Sequence, residues 1–232
     1  MTIVQFRYAT DNFSYLVHGS ADALVIDGGA VDAITTYCAQ AGLAIRFVTN
    51  THSHPDHTFG NPALIDRTGA SFLVYDTLIR EKAIDLESET LRVLNTPGHT
   101  MDSVTFYIHD AIITGDTLFN GTVGNCFSGN LKAFYESIVM LMALPDDTVV
   151  YAGHDYVAPS MAFAKQVEPD NRAVDDFLTQ YRYDNVQSTL KMEKQVNPYL
   201  RFNEKSIIHV LKKKRLSVDS AYQRWESIMS IE

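Results

Sequence analysis

Residues 51–57 constrain this chain more than any other part of its sequence. They read Thr-His-Ser-His-Pro-Asp-His and come directly after an apolar stretch that is typical of a strand. Imidazole nitrogens and carboxylate oxygens are ligands that zinc, iron and manganese take in proteins. A polar loop with incidental histidines is the alternative, but four potential ligands in so short a segment favour a metal site. We therefore predict that His52, His54, Asp56 and His57 lie in a metal-binding loop at the end of a strand.

Three further potential ligands follow later strands in the same manner. His99, Asp116 and His154 each come shortly after a predicted strand, and a glycine directly precedes each of them. Glycine lets the backbone turn sharply and approach a bound group closely. Because loops carry most functional residues of α/β proteins, we expect these side chains to join the first cluster. The sequence thus offers seven candidate metal ligands.

The remaining pattern predicts an α/β fold with a helical appendage. Short β-rich stretches bounded by Gly, Asp or Asn surround two amphipathic helices, predicted at residues 30–41 and 131–144. Such alternation is typical of a layered sandwich. After residue 158 the strand pattern ends, so we place a boundary near residue 157. Strands are predicted at residues 3–8, 15–18, 23–26, 47–50, 72–75, 91–94, 104–108, 111–114 and 149–152, and C-terminal helices at 158–167, 172–180, 204–213 and 218–231.

Composition argues against several classes of protein. The 232 residues carry 19 Lys and Arg against 28 Asp and Glu, which gives a formal net charge of −9. A nucleic-acid-binding protein needs a surplus of positive charge instead. No apolar run approaches the roughly 20 residues that span a bilayer, and no signal-peptide pattern is visible. Two cysteines, Cys38 and Cys126, are too few for a disulfide framework and favour a reducing compartment, so we expect a cytoplasmic protein.

The order of these motifs resembles the metallo-β-lactamase-fold hydrolases, and among them the glyoxalase II (hydroxyacylglutathione hydrolase) family. Residues 51–61 match the family pattern T-H-x-H-x-D-H-x-x-G-N, although Phe59 stands where a small residue is common. Its later motifs are matched by residues 97–100, 115–119 and 153–156.

The C-terminal part carries the more discriminating resemblance. Residues 168–171, 188–190 and 197–201 are similar to the helical appendage of glyoxalase II, which other branches of the superfamily generally lack. The resemblance implies a metallo-β-lactamase αββα sandwich as the catalytic domain, residues 1–157, followed by a helical substrate-binding domain, residues 158–232.

The resemblance also implies a centre with two divalent metal ions. His52, His54 and His99 would hold one ion, Asp56, His57 and His154 the other, and Asp116 would bridge the two. A hydroxide shared by the ions would be the nucleophile, which makes Asp56 and Asp116 the carboxylates closest to catalysis. These ligands suit zinc, iron and manganese alike, with zinc as the first expectation. Glyoxalase II enzymes hydrolyse the thioester S-lactoylglutathione to lactate and glutathione.

Substrate recognition departs from the family pattern. In glyoxalase II a Lys and, two positions later, a Tyr hold glutathione, and here Asn125 and Phe127 occupy those positions. Tyr156 and Arg224 match two other glutathione-binding positions, whereas Ser227 stands where a second Lys is expected. A charged hydrogen bond is worth about 1.5–3 kcal/mol, so the loss of two lysines lowers the affinity for glutathione thioesters. We predict a thioester hydrolase with relaxed or altered glutathione specificity, in which Asn125, Phe127, Tyr156 and Arg224 bind the substrate.

Three alternatives share the ligand pattern. Persulfide dioxygenases, which lack the full appendage, use a single iron at positions such as His52, His54 and His99. A lactonase or another esterase of the same fold is the second alternative. The third is a metal-binding module without activity, which a complete ligand set disfavours. In the main interpretation the partner is a small-molecule thioester and neither nucleic acid nor a membrane, and the choice between monomer and homodimer stays open.

Overall fold

Two β-sheets form the centre of the molecule in the computed structural model, which describes residues 1–231. Within these residues the first sheet has five strands, β1 (Thr2–Tyr8), β2 (Asn12–His18), β3 (Asp22–Ile26), β4 (Ala44–Thr49) and β5 (Ser71–Phe72). The second has six, which run from one edge to the other as β11 (Ser188–Thr189), β10 (Val149–Ala152), β9 (Ala111–Gly115), β8 (Val104–Ile108), β7 (Glu89–Asn95) and β6 (Ala83–Leu86). Parallel pairs join β3 to β4, β4 to β5 and β9 to β10.

Helices connect the strands and make up most of the C-terminal part. None of the helices within residues 1–231 is long and apolar enough to cross a membrane. The helices before β10 are α1 (Val31–Ala41), α2 (Pro55–Thr58), α3 (Asn61–Thr68), α4 (Tyr75–Glu81) and α5 (Leu131–Met142). Those after β10 are α6 (Val157–Val167), α7 (Ala173–Gln180), α8 (Leu190–Val196), α9 (Lys205–Lys213) and α10 (Ala221–Met229).

Alternation of side chains along the strands explains the layers. On β2, Tyr15 belongs to the core between the two sheets, whereas its neighbour Leu16 packs with Ile34 of α1. On β9, Ile113 faces the core between the sheets and Ile112 packs against helices on the outer face. Successive strand side chains point to opposite faces, so strands that are apolar on both faces must be covered on both. The result is the predicted α/β sandwich of helix, sheet, sheet and helix.

The last C-terminal helices, α9 and α10, cover the outer face of the second sheet, whereas α6 and α7 contribute mainly to the core that contains Tyr15 and Ile113. Tyr199, Leu211 and Trp225 are buried in one cluster with Ile112 of β9 and Phe134 of α5. The four helices predicted for this part lie close to α6, α7, α9 and α10. The boundary predicted near residue 157 falls where α6 begins, and it stays a prediction.

The predicted strands are wrong at 72–75 and after residue 158, and the prediction lacks β6 and the helices α3, α4 and α8. Of the strand predicted at 72–75, only Phe72 lies in the first sheet, at the end of β5, because Tyr75 already begins α4 after an extended residue, Val74. Aromatic and branched residues favour a strand locally, but packing of Leu78 makes the segment helical here. The strand pattern also continues beyond residue 158, since β11 pairs with the edge of β10. A strand of two residues is too short to show alternation in the sequence.

A buried carboxylate joins the helical part to the loop that follows Asp116. Glu193 of α8 is fully buried and accepts hydrogen bonds from three neutral donors. These are the backbone N–H of Gly121 at 2.9 Å, the Asn197 amide at 3.0 Å and the Ser188 hydroxyl at 2.6 Å. Burial raises the pKa of Glu193 to about 7, although the hydrogen bonds act in the opposite direction. The folded protein therefore holds the Glu193 proton more tightly than the unfolded chain does.

We expect Glu193 to make the protein less stable as the pH rises. The folded-state pKa of Glu193 is about 7 and exceeds the ordinary value of 4.5. The stability that proton binding by Glu193 adds to the folded state is therefore fully present below about pH 4.5 and is lost as the pH rises through about 7. A shift of this size corresponds to about 3 kcal/mol. The Glu193→Gln variant cannot ionise, so its free energy of unfolding in urea should fall less than that of the wild type between about pH 5 and about pH 8. The exposed Glu204→Gln serves as the control and should follow the wild type. Equal pH dependence for Glu193→Gln and the wild type would contradict this prediction.

Candidate metal centre

The seven predicted ligands come from four loops or short segments that each follow a strand. The segment after β4 carries His52 and His54, and α2, which Pro55 begins, carries Asp56 and His57. The remaining ligands follow one strand each: His99 after β7, Asp116 after β9 and His154 after β10. The structure brings all seven together in two groups, and in each group the potential ligand atoms lie within 4.8 Å of one another.

The first group consists of three imidazoles and one carboxylate. Nδ1 of His54 lies 2.9 Å from Nε2 of His52 and 3.0 Å from Nε2 of His99. Oδ2 of Asp116 lies 3.5 Å from His99 Nε2 and 3.9 Å from His52 Nε2. Three ring nitrogens and a carboxylate oxygen therefore point at a common position.

The second group lies next to the first. Nε2 of His57 and Nε2 of His154 are 3.2 Å apart, and Oδ2 of Asp56 lies 3.6 Å and 3.3 Å from them. Asp116 reaches this group as well, with Oδ1 3.4 Å from His57 Nε2 and Oδ2 3.5 Å from His154 Nε2. One carboxylate thus faces the ring nitrogens of both groups.

The Asp116 carboxylate is the clearest test of whether this donor set fits a cation. It is buried, and its Oδ1 atom accepts no hydrogen bond. An anionic oxygen buried without a partner is costly, and a bound cation removes that cost. The residue before His154 supports the fit, because a Cβ at Gly153 would lie 2.2 Å from this same Oδ1. The donor set and the close backbone approach therefore both suit metal ions.

The buried ligands differ in protonation when no metal balances the carboxylates. Burial and the charge of His57 lower the pKa of His52 to about 3, so the His52 imidazole is neutral at physiological pH. Burial raises the pKa of Asp116, but contacts with His154 and His57 outweigh it and hold that pKa well below its usual range. Burial lowers the pKa values of His57 and His154, but Asp27 and Asp116 outweigh it for His57, and Asp116 and Asp11 outweigh it for His154, so both pKa values are raised. Imidazoles bind metals in the neutral form, so these two rings would release protons when a metal binds.

Partners outside the two groups orient the imidazoles. Nδ1 of His57 lies 3.0 Å from Oδ2 of Asp27, and Nδ1 of His154 lies 3.0 Å from Oδ1 of Asp11. Nδ1 of His99 donates to the backbone carbonyl of Asn125 at 2.8 Å. A hydrogen bond at one ring nitrogen fixes which nitrogen is free to bind a metal. In all three rings the free nitrogen is Nε2, the atom that points inward.

Asp11, Asn12 and Asp27 were not singled out from the sequence. Asn12 donates its amide to Oδ2 of Asp56 at 3.0 Å, and Asp27 also accepts from the Thr51 backbone N–H and hydroxyl at 2.7 Å each. Asp27 directly follows β3 with a positive φ of 56°, and the glycine pair after it was the one local sign of a tight turn. These residues stand 30 to 143 positions from the histidines that they contact.

The predicted substrate-binding residues are placed differently from one another. The Tyr156 ring stacks on His154, with centroids 5.0 Å apart and 6° between the planes. The exposed Phe127 ring meets His54 and His99 edge to face, at 5.4 and 5.3 Å.

Asn125 lies in the same region, whereas Arg224 has other contacts. The Asn125 carbonyl accepts from His99, as described above, so its backbone supports the first group. The Arg224 guanidinium donates to Asn203 Oδ1 and to the Val218 carbonyl within the C-terminal part. Ser227 is buried and donates to the Ser217 carbonyl.

Comparisons with known proteins identify the family of this chain. A family model for the metallo-beta-lactamase superfamily matches residues 7–82 and 70–154, and one for the hydroxyacylglutathione hydrolase C-terminus matches residues 155–228. The chain is 30% identical over 231 residues to the hydroxyacylglutathione hydrolase of Chromohalobacter salexigens, with 91% of each chain covered. It is 32% identical over 231 residues to that of Hydrogenovibrio crunogenus, with 91% of this chain and 86% of the relative covered.

A solved structure supports the same conclusion about the fold. ETHE1 from Myxococcus xanthus superposes with a TM-score of 0.68 at 25% sequence identity, and the match covers 98% of this chain and 100% of the other. The metallo-β-lactamase αββα sandwich with a C-terminal helical appendage is thereby confirmed. The superfamily model and the C-terminal model together span nearly the whole chain. The protein therefore belongs to the hydroxyacylglutathione hydrolase family of the metallo-β-lactamase superfamily.

Proposed function

We propose that this protein is a metal-dependent thioester hydrolase that acts, like the glyoxalase II enzymes, on S-lactoylglutathione or a related acyl thioester. The relatives that it matches along most of its length are named hydroxyacylglutathione hydrolase. The observation that carries the proposal is the position of Asp116. Its carboxylate faces ring nitrogens of both ligand groups, while one of its buried oxygens accepts no hydrogen bond.

In this proposal each ligand group holds one divalent ion. Zinc is the first expectation, and iron and manganese suit the same ligands. When bound, two such ions supply a strong nucleophile from water at neutral pH and polarise the carbonyl group. The groups are His52, His54 and His99 for one ion, Asp56, His57 and His154 for the other, and Asp116 for both.

The protein's own residues fix the geometry of the centre. Asp27 and Asp11 hold the rings of His57 and His154 through their Nδ1 atoms. Phe127 and Tyr156 lie against ligand rings, Phe127 in the first group and Tyr156 in the second. Asp56 and Asp116 contribute the negative charge that balances the cations.

The leaving group explains why no separate general acid is required. A thiolate leaves readily because the pKa of its thiol is roughly 8.5. A serine nucleophile is not supported, since the sequence has no G-x-S-x-G motif. The Sγ atom of Cys126 lies 3.5 Å from the Ser128 hydroxyl rather than beside an imidazole, so a cysteine nucleophile is not supported either.

We also propose that the chain has two domains with different roles. Residues 1–157 would form the catalytic domain, and residues 158–232 the helical domain that contributes to substrate binding. The start of α6 supports this proposal, because Pro159 and Ser160 line a cavity together with Tyr156, whose ring stacks on His154.

Replacing the shared carboxylate should remove metal and activity together. We expect Asp116→Asn to bind fewer than two ions per chain and to lose more than about 100-fold in kcat/KM for S-lactoylglutathione. Elemental analysis of the purified protein and thiol release measure the two effects. Asp146→Asn, an exposed aspartate paired with Lys194, is the control. Two retained ions in Asp116→Asn would contradict the proposal.

The wild type distinguishes the alternative function. A wild-type protein with one iron that consumes oxygen with glutathione persulfide and hydrolyses no thioester would be a dioxygenase.

The carboxylate behind His57 should tune metal affinity without binding metal itself. We expect Asp27→Asn to weaken binding at the second group by about 10–100-fold, because the His57 ring loses its anionic partner. Competition with a coloured chelator measures this affinity directly. Asp22→Asn is the matched control, since Asp22 begins β3, the strand that Asp27 follows, but pairs with Arg46. An unchanged affinity in Asp27→Asn would show that Asp27 does not support the metal centre.

A further inference from the structure

A cavity of about 180 Å³ lies beside the ligand groups, since two of its lining residues contact ligands, one in each group. The Asn125 carbonyl in its wall accepts from His99, and the Tyr156 ring in its wall stacks on His154. This contact places the cavity where the part of a substrate next to the reacting carbonyl would lie. Every side chain in the wall is uncharged: Phe119, Thr122, Val123, Gly124, Asn125, Tyr156, Pro159 and Ser160.

A second cavity of about 430 Å³ shares Asn125 with the first and extends toward α10. Its single charged lining residue within the described chain is an acid, Glu226, whose Oε1 accepts from the Tyr222 hydroxyl at 3.0 Å. The other residues of this wall are Cys126, Gly129, Leu131, Met229 and Ser230. A substrate that reaches from the metal centre past Asn125 therefore meets negative charge.

The Lys and Arg side chains near these cavities make contacts outside them. Among residues 1–231, neither a Lys nor an Arg lines either cavity. Lys132, which follows the lining residue Leu131, lies 3.4 Å from Glu136 and above the ring of Tyr222. The guanidinium of Arg224 is held by Asn203. A carboxylate in either cavity would lose water without gaining a cationic partner, which is costly.

Phe127 adds an exposed apolar surface beside the first ligand group. Two-thirds of its surface is exposed (67%), and its ring rests edge-on against the imidazoles of His54 and His99. A large apolar side chain held at the surface beside a polar centre is typical of a contact for an apolar part of a ligand.

We propose that the thiol portion of the substrate carries no carboxylate, so that the enzyme prefers acyl thioesters of uncharged or amine-bearing thiols over those of glutathione. This inference rests on the proposed thioester hydrolase function and specifies the substrate class of the same site. The two cavities hold the thiol portion, and Glu226 disfavours anions at the far end.

A matched pair of substrates tests the proposal. S-lactoylglutathione and its dimethyl ester share the acyl group and the thiol skeleton and differ only in two carboxylates. For the metal-loaded wild type we expect kcat/KM for the diester to exceed that for the acid by at least about tenfold, mainly through KM. Release of free thiol reports thioester cleavage alone. Equal or faster hydrolysis of the acid would overturn this inference and leave the proposed function intact, whereas cleavage of neither compound would overturn the proposed function itself.

A charge reversal assigns the effect to the second cavity. Glu226→Lys, alone and with Asn125→Lys, should raise the ratio of kcat/KM for the acid to that for the diester by at least about tenfold. Glu81→Lys makes the same change at an exposed residue of α4 that lines neither cavity, so its ratio should equal that of the wild type. An unchanged ratio in both variants at position 226 would overturn the assignment of the thiol portion to these cavities.

Discussion

The arrangement of the centre depends on one buried carboxylate among imidazoles. Asp116 lies between the two ligand groups, and each of its oxygens faces ring nitrogens of at least one group. Such a carboxylate is stable only if positive charge balances it, and its Oδ1 atom leaves room for nothing larger than glycine at position 153. The short approach of β10 to β9 at this point is therefore part of the site. Both sheets and their loops serve to hold this one arrangement.

The sequence predicted the parts of the centre that depend on residues close together in the chain. The cluster at 51–57 and the glycine-preceded residues His99, Asp116 and His154 were readable because their chemistry is local. Asp11 and Asp27 were not, because their roles exist only after distant strands pair. A single aspartate in a turn is common in protein sequences, so neither residue stands out. Only the folded chain brings Asp27 to His57 and Asp11 to His154.

The same distinction applies to the fold. The strand Val104–Ile108 was predicted to the residue, because its run of branched and aromatic residues is a local sequence pattern. The segment at 72–75 and the strand Ser188–Thr189 were missed because neighbouring elements decide their conformation. For substrate recognition, the sequence pointed to positions 125 and 127, and their role stays a prediction. The acidic Glu226 in the wall next to them could not be identified from the sequence, since α10 reaches this loop only through the packing of the C-terminal helices.

Each ligand group draws on both sheets, and this division has a mechanical consequence. Residues 52–57 follow β4 of the first sheet, whereas His99, Asp116 and His154 follow strands of the second. Ions held by both groups would cross-link the two sheets at one end of their interface. Apolar side chains such as Tyr15 and Ile113 fill the rest of that interface. A ligand that binds only the assembled state stabilises it in proportion to the logarithm of its concentration. The supply of metal would then set how firmly the two halves of the sandwich stay closed, as well as whether the centre can react.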